Sequence, residues 1–195
     1  GGTIRYGSIS GWAAIQDYLT WLDATNPLRQ VSARAGNVAW SNAAAWSENE
    51  VPNNQAGSFD GPYGLAGRYF DVALSEPGRV SLDIDATIDG LSVLGDRTLL
   101  DVSAGHALNV ITGATLWSGE IVLDGTMATP FLAMEGGVLS GTGTLGIVDF
   151  GVKDLASGVV NAAGTVAPGS AGALGVLTID GNYVQGPQGA LSVRL

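Results

Sequence analysis

From about Val72 to Leu195 the chain consists of short apolar alternations broken every few residues by glycine, and this pattern constrains the fold more than any other feature. In "RVSLDIDATID", Val80, Leu82, Ile84, Ala86 and Ile88 fall on one side of an extended backbone and Ser81, Asp83, Asp85, Thr87 and Asp89 on the other. Successive side chains of a strand point to opposite faces, so this stretch is expected to be one strand with one wet face. Similar runs follow at 99–102, 107–111, 120–123, 144–148, 176–179 and 191–195, all too short for helices, with Gly, Asn or Asp at most of the breaks. Thirty glycines, about twice an average usage of ~7%, agree with many tight turns.

Strands this regular fit a sandwich or a solenoid, and an internal echo favours the solenoid. "DATIDGLSV", "GATLWSGEIVL" and "GGVLSGTGTLGIV" place Ile88, Leu116 and Leu139 about 28 and then about 23 residues apart. Periods of roughly 20 to 50 residues mark stacked repeats, each unable to bury its apolar face alone. A coil of about 20 to 28 residues with three short strands is the size of one turn of a parallel β-helix. At ~4.8 Å per coil, five or six coils make a rod on the order of 25–30 Å long. The expected fold class is all-β, with Leu82, Ile84, Ile88, Leu91, Val93, Leu116, Leu139, Leu145 and Ile179 facing inward.

Residues 1–36 differ. Trp12, Ile15, Leu19 and Leu22 form an apolar stripe with Gln16, Asp17, Thr20 and Asp23 between them, which predicts an amphipathic helix over about 11–24. Asn26-Pro27 ends it, because a residue before proline avoids the helical region. The chain therefore divides into an N-terminal helical linker or cap, 1–36, and a β region, 37–195.

Composition excludes several functions. Charged residues are 13%, and 18 acids against 8 bases give a net charge of -10, which repels a phosphate backbone, so no nucleic-acid partner is expected. No apolar run approaches the roughly 18 residues needed to cross a bilayer, so no membrane insertion of this segment is expected either. The absence of cysteine removes disulfides, thiol catalysis and zinc-thiolate sites.

The ordered motifs "VAWSNAAAWSENEVPN", "YFDVALSEPGRVSLDIDATIDGLSV", "MEGGVLSGTGTL" and "GTVAPGSAGALGVLTIDGNYVQGPQGALSV" resemble the passenger region of Gram-negative type V autotransporters. The last piece resembles the passenger-associated repeat, in which a V-x-P-G turn leads to G-x-L-x-I-x-G-x-Y-x-Q and a final alternating strand. The resemblance covers about 38–195. It implies a right-handed parallel β-helix, exported by type V secretion and displayed at the cell surface or secreted from the outer membrane. It also implies partners within the same precursor, namely a translocator β-barrel and a possible protease. The leader 1–29 resembles linkers that follow a subtilisin-like domain. "DGTMATP" resembles the subtilase core G-T-S-M-A-T-P, but Gly125 and Thr126 run directly into Met127 with no serine between them. The sole histidine, His106, lies in "SAGHALNV", an expected turn or edge, and a serine protease without serine or base has no mechanism.

Three candidate sites remain. Asp83, Asp85 and Asp89 present D-x-D-x-x-x-D, hard oxygen ligands suited to Ca²⁺; the alternative is a solvated acidic face. Asp83 and Asp85 with Arg79 form the one compact acid–base set, as a β-helix polysaccharide lyase or glycosidase needs. Trp40, Trp46, Phe59, Tyr63, Tyr69 and Phe70 could stack on sugar rings, such as a host or surface glycan, or could be buried. The expected function is a non-catalytic structural and interaction stalk, needing no cofactor, whose C-terminal repeat supports folding of the rod; the alternative is a carbohydrate-active enzyme or sugar-binding adhesin.

Overall fold

The computed structural model describes residues 28–58, 66–150, 157–169 and 173–193. The N-terminal helix expected over 11–24 lies outside them, as do Phe59 and Tyr63. Among the described residues the chain is all-β apart from one 3-10 turn at Ala43–Ala45. In chain order the first strands are β1 (Leu28–Ser32), β2 (Val38–Ala39), β3 (Gln55–Ser58), β4 (Ala66–Leu74), β5 (Gly78–Leu82) and β6 (Ala86–Val93). They are followed by β7 (Thr98–Val102), β8 (Ala107–Leu116), β9 (Glu120–Leu123), β10 (Thr126–Thr129), β11 (Phe131–Met134) and β12 (Val138–Gly141). The last are β13 (Thr144–Ile147), β14 (Gly158–Asn161), β15 (Thr165–Pro168), β16 (Thr178–Asp180), β17 (Tyr183–Gln185) and β18 (Ala190–Leu191).

Two sheets hold these strands. A 7-stranded sheet runs β2-β5-β7-β9-β12-β15-β18 and an 11-stranded sheet runs β1-β4-β6-β8-β10-β13-β16, with β11, β14 and β17 branching from β8. Every pairing is parallel except the β3–β4 hairpin. The branch arises because β6 and β8 are bent: their register shifts between Ile88 and Gly90, and Gly113 opposite Gly90 has φ of 146°, a conformation open to glycine and strained for other residues. Beyond the bend the first half of β8 continues into β10 and its second half into β11. Three parallel ladders result, one forming the 7-stranded sheet and two forming the branches of the other.

Parallel register stacks like positions, and the stacks are the core. Val80, Leu100, Ile121, Leu139 and Val166 form one column, each directly opposite the next and none more than 3% exposed. A second column is Ala86, Leu108, Met127 and Leu145, and a third is Leu74, Val93, Leu116, Met134 and Asn161. Each large apolar side chain removed from water contributes about 1.5–3 kcal/mol, so a column of this length outweighs any surface contact. Side-chain hydrogen bonds between paired strands span 18 to 24 residues through the middle of the chain but 34 to 42 near its N-terminal end, a wider spread than the expected coil.

Several expectations are corrected by these registers. "RVSLDIDATID" is two strands, β5 and β6, with a corner at 83–85, so Ile84 is only partly buried, as is Ile179 near the C-terminal end. The alternation hides the corner, because apolar and acidic residues keep alternating through it, and the exposed side chains of Asp83 and Asp85 hydrogen-bond backbone amides on neighbouring strands. The echo of Ile88, Leu116 and Leu139 is a repeat without register: Ile88 pairs Val110, Leu116 pairs Val93 and Met134, and Leu139 pairs Ile121 and Val166, on three different ladders. β1 lies inside the 1–36 segment read as helical linker, yet pairs with β4 from Leu28 opposite Tyr69 to Ser32 opposite Ala73. The "TMATPFLAM" stretch is β10 and β11, two strands separated by Pro130, with Met127, Leu132 and Met134 fully buried.

Two substitutions test the core. Leu82→Asp buries a carboxylate with no partner at several kcal/mol, comparable with total stability, so far-UV β signal and cooperative melting should be lost; a melt within a degree of wild type would show Leu82 not to be interior. Gly141 has φ of 113°, and a Cβ there would lie 2.1 Å from the Leu123 carbonyl oxygen. Gly141→Ala should cost about 2 kcal/mol, lowering Tm by roughly 4–8 °C.

Candidate functional site

The acidic residues singled out from sequence sit at the corner between β5 and β6. Asp83 reaches back across the stack: its Oδ1 accepts from the Ser41 backbone N–H at 2.9 Å and its Oδ2 from the Ser41 hydroxyl at 2.6 Å. Asp85 reaches the opposite way, accepting from the backbone N–H of Ala107 at 2.9 Å, with His106 Nδ1 3.6 Å from the same oxygen. Asp89 turns to a third partner, the Asn54 side-chain amide at 2.8 Å. The D-x-D-x-x-x-D spacing thus disperses its carboxylates to three neighbours. Among the described residues no group of three or more His, Asp or Glu side chains converges to hold a metal ion.

Asp124, at the corner between β9 and β10, makes a like contact, its Oδ1 accepting from both the backbone N–H and the hydroxyl of Thr142 at 2.9 Å. These corner carboxylates satisfy amides that the ladders leave unpaired where strands end. Sequence reading missed Asp124, although "DG" at 124–125 is a turn signal.

Arg79 does not join Asp83 and Asp85. It extends along the outer face of the 7-stranded sheet to Asp101, donating through Nε at 3.2 Å and through a terminal nitrogen at 2.5 Å; the Ser103 hydroxyl adds a third bond at 3.2 Å. Asp101 is 5% exposed, and this buried carboxylate with its three donors was not foreseen. A register of one strand pair, β5 on β7, places Arg79 beside it, information that a single sequence does not carry.

The aromatic residues divide similarly. Trp40 and Trp46 are fully buried, with centroids 4.8 Å apart in an edge-to-face pair, and donate their indole N–H groups to the carbonyls of Pro52 and Trp40. Phe70 is also fully buried and Tyr69 half-buried. No ring face of the two tryptophans is open to a sugar. Among the described residues the exposed tryptophan is Trp117, in the turn after β8.

Asp83 titrates below its ordinary value. Its slight burial opposes the charged form, but the hydrogen bonds from the Ser41 hydroxyl and backbone outweigh this and favour the carboxylate. Family models, curated proteins and solved structures return no match to this chain.

Two expectations follow for these contacts. A folded-state pKa below the unfolded value means that the Ser41–Asp83 tie stabilises fully above about pH 4 and is lost as pH falls through the depressed value. Tm should therefore fall more steeply with acid in wild type than in Asp83→Asn; parallel curves would remove the tie from the stability of the N-terminal turn. Arg79→Ala strips the charged donor from buried Asp101 and should cost about 1–3 kcal/mol, measured by urea unfolding, with Arg79→Lys recovering only part because an ammonium lacks the planar guanidinium fork that donates from two nitrogens at once.

Proposed function

We propose that this chain is a non-catalytic stalk of a Gram-negative type V autotransporter passenger, wound as a right-handed parallel β-helix. The observation that carries the reading is the strand order: in the 7-stranded sheet strands succeed one another in chain order, all parallel. A chain that buries its apolar side chains in continuous columns makes a stiff spacer from short, variable repeats. The motifs that resemble passenger sequences fall on this framework: the "GGVLSGTGTL" stretch forms β12 and β13, and the terminal repeat forms β15 to β18.

On this reading the stalk is displayed at or secreted from the cell surface. Its partners are the other domains of the precursor, a translocator β-barrel and a protease, with an adhesive contact to a host or surface glycan as a further role. The C-terminal unit, residues 164–185, assists folding during secretion by presenting strand edges on which other coils can pair. The corner carboxylates act as ties between coils, and the Arg79–Asp101 pair is one such tie and not an acid–base couple.

Export supplies the test. Placed between a secretion signal and a translocator barrel in a Gram-negative host, the chain should reach the outer surface, accessible to antibody on intact cells and resistant to added protease. Retention in the periplasm would overturn the stalk reading. Purified protein should not cleave casein or depolymerise acidic polysaccharide, and turnover abolished by Asp83→Ala with Asp85→Ala would establish an enzyme instead.

A further inference from the structure

The ladder made by β4, β6, the second half of β8 and β11 lies in the middle of the stack, and register fixes which residues share its outer face. Leu94 and Trp117, in the turns that follow β6 and β8, are held in step by matching bonds, Leu94 N–H to the Leu74 carbonyl and Trp117 N–H to the Val93 carbonyl. Trp117 is 55% exposed and Leu94 42%. Back along the same two strands the outward positions are Ser92 opposite Thr115, then Gly90 opposite Gly113. A carboxylate stands at each of two diagonal corners: Asp71 is opposite Gly90, and Glu135, one turn beyond Trp117, donates its backbone N–H to the Leu116 carbonyl.

The indole is open because its neighbours have little side chain to cover it. A Cβ on Gly136 would lie 2.3 Å from the Trp117 carbonyl oxygen, and one on Gly95, beside Leu94, 2.4 Å from the Ser75 carbonyl oxygen, so both flanking turn positions exclude a side chain. The turn itself is tied down, since the Ser118 hydroxyl donates to the Leu94 carbonyl. A platform fixed before binding loses little freedom when a ligand settles on it. Scattered single apolar residues on a surface are ordinary, but here an indole stands beside a leucine, two hydroxyls and a carboxylate on one sheet face.

We propose that this face binds a neutral glycan, with a pyranose ring stacked on the Trp117 indole and its hydroxyls hydrogen-bonded to the Glu135 carboxylate and to the Ser92 and Thr115 hydroxyls. This gives the adhesive contact of the stalk a defined surface and rests on that reading. A pyranose with equatorial hydroxyls has an apolar C–H face and a polar rim, which an aromatic ring flanked by acceptors complements. Charge excludes an acidic chain: the net charge is -10, and the turns that border Trp117 carry Glu76, Asp96 and Glu135 against Arg97 alone. Size argues against a protein partner. From Asp71 to Glu135 the face spans four strands, ~14 Å at ~4.8 Å per strand, with two large apolar side chains exposed, whereas a standard protein interface takes roughly 20–30 residues a side.

Isothermal titration of the intact chain with cellohexaose and with N-acetylchitohexaose reads the binding, with a heparin hexasaccharide as the acidic comparison. Wild type should bind at least one neutral hexasaccharide saturably at about millimolar concentration, and heparin not at all. Trp117→Ala, at an exposed position, should weaken that binding by about tenfold or more with unchanged circular dichroism, and Trp117→Phe should recover part of it, because a smaller ring still stacks. Thr115→Arg obstructs the same face from a second position and should also abolish binding, while Thr165→Arg, on the outer face of the 7-stranded sheet, should leave it intact. The proposal is overturned if neither neutral hexasaccharide binds, if heparin binds more tightly than both, or if Trp117→Ala binds as wild type does. A wild-type sedimentation mass of twice 19.8 kDa that returns to the single-chain value in Trp117→Ala would overturn it as well, by making the face a contact between copies. The surface-export assay tests the stalk separately: a wild-type chain that is exported yet binds no glycan removes this site and leaves the stalk standing.

Discussion

Everything in this structure depends on one repeated contact, a parallel strand laid on the strand one turn earlier at about 4.8 Å. At that spacing each side chain stands directly over its counterpart, so the chemistry of a column must be tolerable all along its length. Apolar columns such as Val80 to Val166 satisfy this at every level. An isolated charge in such a column would find only hydrocarbon above and below. The same spacing limits the corners: a Cβ at Gly125 would lie 2.4 Å from the His106 carbonyl oxygen, and one at Gly143 2.1 Å from the Gly125 oxygen. Glycine abundance is thus a consequence of close backbone approach between turns as well as of turn conformation.

That dependence explains which features were legible in the sequence. Strands β7 and β9 could be located closely because their alternation is bounded by turn residues at both ends. The corner at 83–85 was not legible, since apolar and acidic residues keep alternating through it and only contacts to Ser41 and Ala107, 42 and 22 residues away, distinguish a corner from a strand. β1 gave no signal because Leu28, Arg29 and Gln30 are exposed and Val31 is its one buried residue. Register failed for a related reason: turns that vary in length defeat a fixed period, so equivalent-looking motifs landed on different ladders.

The candidate site shows the same limit. Composition and spacing identified the acidic corner, yet ligand geometry depends on the direction in which each carboxylate points. Asp83 and Asp85 are two residues apart and bond to opposite neighbours, so a cation held between them would have to displace two charge-assisted hydrogen bonds to backbone amides. Their structural role is more economical. A corner removes ladder partners from several amides at once, and a carboxylate, with two acceptor oxygens, replaces them without requiring another strand.

Near the C-terminal end the interior changes character. The column from Leu74 through Met134 continues to Asn161, which is fully buried and whose side-chain amide donates to the Tyr183 hydroxyl at 3.1 Å and the Ala190 carbonyl at 3.4 Å. Tyr183 in turn donates to Gln185, and Gln185 to the Gly189 carbonyl. Asn161 Oδ1 has no partner in this arrangement, which costs about 1–3 kcal/mol relative to a satisfied group. Such a cost is tolerable where the polar chain fixes something that packing cannot. β16, β17 and β18 are two or three residues long and bury little, so apolar contact alone would allow the last turn to slip by one residue and reverse every side chain. Directional bonds from Asn161 to both β17 and β18 permit one alignment, and the register of the exposed edge is thereby set from within the core.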